Sequence, residues 1–213
     1  AAALSVVVLG DESGYLTTEH QKMKLAAIES MWETEPAPAS FTLFGIPDTQ
    51  ERETHYAVKI PWVMGLIGTR SLDTPIEGIN ELVEHGKTKI ENGIQAYTAL
   101  QNMRANMGTG TPDTADQAIM EEYGNDLGYA YLLKPFVDDP ADATPAQIEQ
   151  AANSLVPPVG PLFWSFRIMV GAGFLFIAVM ATFFYLSTRR RLDSHRWLLH
   201  LAVWIIPLPW IAA

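Results

Sequence analysis

Three apolar stretches frame a long polar interior. Residues 1–9 are apolar apart from Ser5, and 197–213 are apolar apart from His200. Between them, residues 162–186 form a run of 25 in which the polar side chains are Ser165, Arg167 and Thr182. A run of that length crosses a hydrocarbon core of ~30 Å with some tilt. The pattern predicts the end of a transmembrane helix at 1–10, a large loop at 11–160, a transmembrane helix at 161–188, a short turn at 189–196 and the start of another span at 197–213. The expected class is an all-α membrane protein: a multi-pass transmembrane helix bundle with a large, mainly helical and irregular loop.

Within the loop, turn and capping residues divide the chain. Thr17 or Thr18 can cap a helix running to about Trp32, and 33–47, broken by Pro36, Pro38, Gly45 and Pro47, reads as extended chain. Thr74-Pro75-Ile76-Glu77 places a capping residue, Pro at the first helical position and Glu at the third, a start signal for a helix reaching Met103. That helix carries Ile76, Ile79, Leu82, Val83, Ile90, Ile94, Tyr97 and Leu100 at helical spacing, with Gly78, Gly86 and Gly93 weakening it. Residues 107–116 read as a mobile linker, and Thr144-Pro145-Ala146-Gln147 starts one more short helix.

Composition sharpens the division. The chain is 48% apolar and 18% charged yet carries a net charge of −10. The acidity is concentrated in 11–160, with 23 acidic against 9 basic residues. This excludes a soluble cytosolic enzyme and argues against nucleic acid or anionic lipid as the loop's partner. Arg189, Arg190, Arg191 and Arg196 follow the central span, opposed by Asp193. A short connection so basic belongs in the cytoplasm, which puts 11–160 on the periplasmic side of a bacterial inner membrane. Cysteine is absent, so disulfide, thiol and iron–sulfur chemistry are excluded within the stretch. With no initiator Met and both ends in apolar runs, the chain reads as an internal stretch of a longer multi-pass protein.

Candidate chemistry follows from position. On a helix over 18–32, Leu25, Ile28 and Trp32 make a narrow apolar stripe, bordered by Lys24 and Glu29 about 140° apart. An ammonium and a carboxylate flanking an apolar strip suit a flat amphipathic ring with polar groups at both ends. The other reading is a solvated helix packed through its stripe. Arg167 lies inside the span, where a charge is costly and by default functional. Its alternative is snorkelling to the nearby interface. Met169 shares a helix face with Phe166, Gly173, Phe176 and Met180. A thioether beside a glycine suits a Met-ligated haem, and equally suits plain packing. The five histidines are scattered, and no metal-ligand cluster or Ser/His/Asp set can be assembled from spacing.

Longer motifs go further. GDESGY at 10–15, QKMKLAAIESMWETEPAPASFTLFGIPD at 21–48, DLGYAYLLK at 126–134, FRIMV at 166–170 and IPLPWIA at 206–212 together resemble subunit I of the cytochrome bd-type quinol oxidases, in its long-loop branch. The resemblance spans essentially the whole chain. It implies a terminal respiratory oxidase whose periplasmic loop binds quinol and whose haems pass electrons to oxygen, forming water. It implies that Lys24 and Glu29 act in quinol oxidation, and that the acidic GDESGY turn brings Asp11 and Glu12 to the quinol. It also implies that Met169 is one axial ligand of low-spin haem b and that Arg167 supports that haem. High-spin haem b and haem d belong to the full subunit, their ligands having no match here. A second oxidase subunit is the implied partner, with small membrane subunits as further candidates. The rival class is an extracytoplasmic ligand-binding sensor, but an eight-residue turn back into the membrane leaves no room for a signalling domain after the span.

Overall fold

The computed structural model describes residues 2–106, 114–192 and 195–212. Most of the expected linker (107–113), and Asp193 and Ser194 of the basic turn, lie outside the described residues. The chain divides into two units. One contains the residues up to Ala27, Met31–Phe41 and Ile60–Pro157; the other contains Ile28–Ser30, Thr42–Lys59 and the chain from Pro158 onward.

The first unit begins with helix α1 (Ala2–His20) and with helix α2 (Lys22–Glu29), whose last two residues are counted in the second unit. Two expectations are corrected here. Residues 10–15 are not a turn, because α1 runs straight through them. Nor does the second helix reach Trp32, because Ser30 adopts a left-handed conformation (φ 52°) and the Met31 N–H reaches back to the Ala26 carbonyl at 2.8 Å. That six-to-one closure is a Schellman stop, with serine where glycine is usual.

Most of the remaining mass of this unit packs along α3 (Ile79–Ala105). Its buried positions, Ile79, Val83, Gly86, Ile90, Gly93, Ala96 and Tyr97, keep the helical spacing read from the sequence. Its start does not follow the Thr-Pro signal. Ile76 instead exchanges two backbone hydrogen bonds with Glu35 (3.0 and 3.2 Å) in an isolated antiparallel bridge. The first free N–H groups of α3 are then satisfied by neighbouring chain: Gly78 donates to Thr34 Oγ1 (3.1 Å), Ile79 to the Met31 carbonyl (2.9 Å) and Asn80 to the Trp32 carbonyl (3.0 Å). Backbone carbonyls thus replace a side-chain cap.

Helices α4 (Thr114–Tyr123), α5 (Leu127–Ala130) and α6 (Pro145–Asn153) line α3. The short helix expected at Thr144-Pro145-Ala146-Gln147 is α6, and it opens on a capping box, with Thr144 Oγ1 accepting from Gln147 N–H and Gln147 accepting from Thr144 N–H. Gly93, read from sequence as a weakness of α3, is a point of close approach by the chain at and just before α5. A Cβ there would lie 2.6 Å from the Asp126 carbonyl oxygen and 2.8 Å from the Ala130 nitrogen. Backbone cannot yield as a flexible side chain can, so Gly93→Ala is expected to cost about 1–3 kcal/mol. The thermal midpoint of the detergent-solubilised full-length protein should fall, while Gly128→Ala, with open space around its Cβ, should leave it nearly unchanged. Equal melting of the two variants would show that the helices do not meet at Gly93.

The second unit corrects the all-α expectation. Phe41–Asp48 and Glu53–Ile60 are strands β1 and β2 of a two-stranded sheet. Gly45 and Pro47 read as breakers, yet a two-stranded sheet has only edge strands, where a Pro without an N–H is tolerated. The connecting turn is built by Asp48, whose Oδ1 accepts from the N–H groups of Gln50 (2.8 Å) and Glu51 (3.1 Å). Those bonds, Glu51's first, hold the Asp48 carboxyl below its ordinary value.

Helix α7 (Val159–Thr188) is 30 residues long and, among the described residues, is the one helix long and apolar enough to cross a membrane. At 1.5 Å per residue it measures ~45 Å, which exceeds a hydrocarbon core. Left-handed Arg190 closes it, with Arg191 N–H returning to the Leu186 carbonyl. Helix α8 (Arg196–Trp204) then packs Leu198 against Val179 and Leu186 of α7. The chain breaks at Ile205–Pro207 before α9 (Leu208–Ala212), the interruption expected of Pro207.

Candidate functional site

The site is built around Arg167, two turns into α7. Its Nε donates to the Thr42 carbonyl at 2.9 Å, and Nη1 donates to the carbonyls of Ile28 (2.8 Å) and Phe163 (2.9 Å). Nη2 donates to Glu29 Oε2 (3.2 Å) and to the Thr42 carbonyl. Glu29 Oε2 also accepts the Thr42 N–H at 3.1 Å. The Arg167 guanidinium carbon sits 3.4 Å from the centroid of the Phe163 ring, one turn back on α7. The side chains of Arg167 and Glu29 are 7% and 1% exposed. This is a buried ion pair, closed by main-chain groups from the end of α2 and the start of β1. Nearby, Phe44 of β1 meets Trp164 edge-on at 5.5 Å.

Two alternative readings can now be weighed. Arg167 does not merely snorkel, since its head group ends on a carboxylate and three carbonyls. Glu29 does not lie on a solvated helix face, since it is 2% exposed overall. Lys24 is exposed. Of the stripe, Leu25 and Trp32 are buried and Ile28 half-buried, although Trp32 stands beyond the end of α2. Asp11 and Glu12 are exposed on α1, and both hold Arg70, at 2.8 and 2.9 Å. Those bonds, Glu12's first, keep the Arg70 guanidinium charged above its ordinary value. Arg70 also lies 4.4 Å from the centroid of the Tyr15 ring.

Spacing could not reveal several of these groupings. Arg70 is 59 residues from Asp11, and no local period links them. Beside α2 a cavity of about 380 Å³ is lined by Thr18, Lys22, Leu25, Ile76 and Glu77, among others. The ammonium at its wall is Lys22, bonded to Glu77 at 2.8 Å. At the hairpin tip, His55 comes within 3.4 Å of Glu51 and 3.9 Å of Asp48. This acid–imidazole cluster lies at the surface.

Met169 occupies another face of α7. It is 47% exposed, and Met180 further along the same face is 67% exposed. One turn from Met169, nothing lies within 4 Å of where a Gly173 Cβ would stand. An open thioether beside an open glycine lets a flat macrocycle approach, and a thioether is a known axial donor to haem iron. The residues present therefore fit one side of a haem.

A buried cation thus sits on an apolar 30-residue helix that is long enough to cross a membrane, and it is fastened to main chain outside that helix. The family model described as cytochrome bd terminal oxidase subunit I matches residues 1–213, and the chain belongs to that family. It is 39% identical over 211 residues to cytochrome bd-II ubiquinol oxidase subunit 1 of Escherichia coli (strain K12), covering 99% of this chain and 40% of that one. Cytochrome bd ubiquinol oxidase subunit 1 of Bacillus subtilis (strain 168) is 24% identical over 205 residues, covering 94% of this chain and 31% of the relative. The chain thus spans well under half the length of these relatives.

Proposed function

We propose that this chain is the part of a terminal respiratory oxidase that oxidises quinol at the periplasmic face of the bacterial inner membrane. The observation that supports this best is the Glu29–Arg167 pair, which sets a carboxylate beside the helix that carries Met169. Oxidising a quinol removes two electrons and two protons. Glu29 accepts a phenolic proton as the ring oxygen loses electron density. Lys24, an exposed ammonium, hydrogen-bonds the ring oxygen while charge develops on it. Asp11 and Glu12, which both hold Arg70, are further quinol-binding residues in this reading. Met169 would hold the iron of low-spin haem b through its thioether, and Arg167 lies on the same helix. When bound, that haem would supply one-electron chemistry, with high-spin haem b and haem d expected in the rest of the subunit. A second oxidase subunit completes the complex, with small membrane subunits as further members of the assembly.

Lys24→Ala in the full-length oxidase tests the reading at the point where it is most exposed. Quinol-driven oxygen consumption should fall at least ~10-fold, less than the ~100-fold or more lost when a charge-stabilising donor is removed from a water-excluded site, because Lys24 is exposed. An artificial donor that bypasses quinol should still reduce the haems. Unchanged turnover with quinol would remove Lys24 from the site.

A further inference from the structure

We propose that the turn after α7 binds the phosphate of an anionic phospholipid through Arg189 and Arg190. The inference does not depend on the quinol reading; it rests on α7 crossing the bilayer. Residues 189–196 carry four arginines against Asp193, the reverse of the acid-rich 11–160. Spacing along α7 sets their depth. Arg167 and Arg189 are 22 positions apart with no charged residue between them, which is ~33 Å at 1.5 Å per residue. That uncharged run fills a hydrocarbon core of ~30 Å, so Arg189 and Arg190 stand at the level of the phosphates. Tyr185 and Trp197 are exposed on either side of the turn, and amphipathic rings of this kind gather at the headgroups. The Arg189 guanidinium carbon lies 5.6 Å from the centroid of the Tyr185 ring. Both arginines are exposed, but the backbone that carries them is closed. Arg189 N–H donates to the Tyr185 carbonyl (3.1 Å), Arg190 to Ser187 (3.0 Å) and Arg191 to Leu186 (3.0 Å). Beyond them Leu192 packs against the cluster of Val179, Leu186 and Leu198, so the apolar contact of α7 with α8 holds the turn from both ends. A turn already formed loses little freedom when a ligand arrives. A guanidinium offers a phosphate two parallel N–H donors. A zwitterionic headgroup brings its own cation to that phosphate, so the charge at the turn selects an anionic lipid.

The test titrates the full-length oxidase complex, in neutral detergent, with radiolabelled phosphatidylglycerol or phosphatidylcholine. Lipid bound per haem is measured above that in empty micelles. Each arginine at a charged surface contributes about a fivefold gain in affinity. The pair Arg189→Gln, Arg190→Gln should therefore lose one phosphatidylglycerol of those the wild type binds, its affinity falling by about 25-fold. Phosphatidylcholine binding should not change. Haem spectra, and quinol-driven oxygen consumption before lipid is added, should match the wild type, because neither arginine belongs to the quinol site. The pair Arg189→Lys, Arg190→Lys keeps the charge and loses the planar fork, and should fall between the wild type and the Gln pair. It replaces the Gln pair if that variant does not assemble, and wild-type affinity in it would then count against the proposal. Inorganic phosphate in large excess should leave the lipid bound, since the acyl chains also hold it. Unchanged phosphatidylglycerol binding in the Gln pair would overturn the proposal and show that other chain covers the arginines. An equal loss of phosphatidylcholine would overturn it too, by tracing the effect to the fold and not to charge. Displacement by inorganic phosphate would make the turn a site for a soluble anion, and would equally overturn it.

Discussion

Replacing Glu29 by Gln is expected to lower quinol-driven oxygen consumption of the full-length oxidase by about 100-fold or more, the usual loss when a general base is removed. Glutamine keeps the length of the side chain and an oxygen able to accept from Thr42 N–H and Arg167 Nη2, the two donors that hold Oε2 now. What it cannot do is take a proton. The change also leaves Arg167 as a buried cation without its counter-charge, and breaking a buried pair in this way commonly costs about 3–5 kcal/mol. Haem content and subunit assembly must therefore be measured beside turnover. A variant that assembles, keeps its haem spectra, accepts electrons from an artificial donor and fails with quinol identifies Glu29 as the base. One that assembles and turns over at near the wild-type rate makes Glu29 a counter-ion of Arg167 and nothing more. Asp11 or Glu12, exposed on α1 and already bonded to Arg70, would then be the next carboxylate to test.

Met169→Leu is expected to abolish or convert the low-spin haem b signal in reduced-minus-oxidised spectra, while the signals of the oxygen-site haems persist. The substitution is nearly isosteric and usually costs less than about 1.5 kcal/mol even in a packed core. Met169 is half-exposed on α7 and faces an open glycine position, so little packing is disturbed. Loss of the signal would then report loss of a ligand and not of the fold. An unchanged low-spin spectrum would reduce Met169 to one more apolar residue on a membrane helix.

Much of this architecture was legible because it is local. The apolar run that becomes α7, the helical period of α3 and the start of α6 each depend on residues within a few turns of one another. The failures are equally physical. The hairpin was hidden because Gly45 and Pro47 look like breakers until the strand is known to be an edge. The end of α2 was missed because a left-handed serine carries no signal that a glycine would have given. The start of α3 moved because its caps are the carbonyls of Met31 and Trp32, supplied by tertiary structure and not by the Thr74-Pro75 pair. For the site, Lys24, Glu29, Met169 and Arg167 were each visible as single residues, by charge at the stripe's edge or by cost inside the span. Their relations were not. Glu29 and Arg167 are 138 positions apart, and no periodicity joins a loop carboxylate to an arginine in a later helix.

The chemistry of the clasp at Arg167 also bears on how this region can change over generations. Apart from Glu29, its acceptors are peptide oxygens, and every amino acid brings one. Positions 28 and 42 can therefore drift in identity without loosening the attachment, provided the chain keeps its path. Position 29 and position 167 have no such latitude, because each supplies a charge the other must balance. Homologues should accordingly vary at 28 and 42 while 29 and 167 change together or stay fixed.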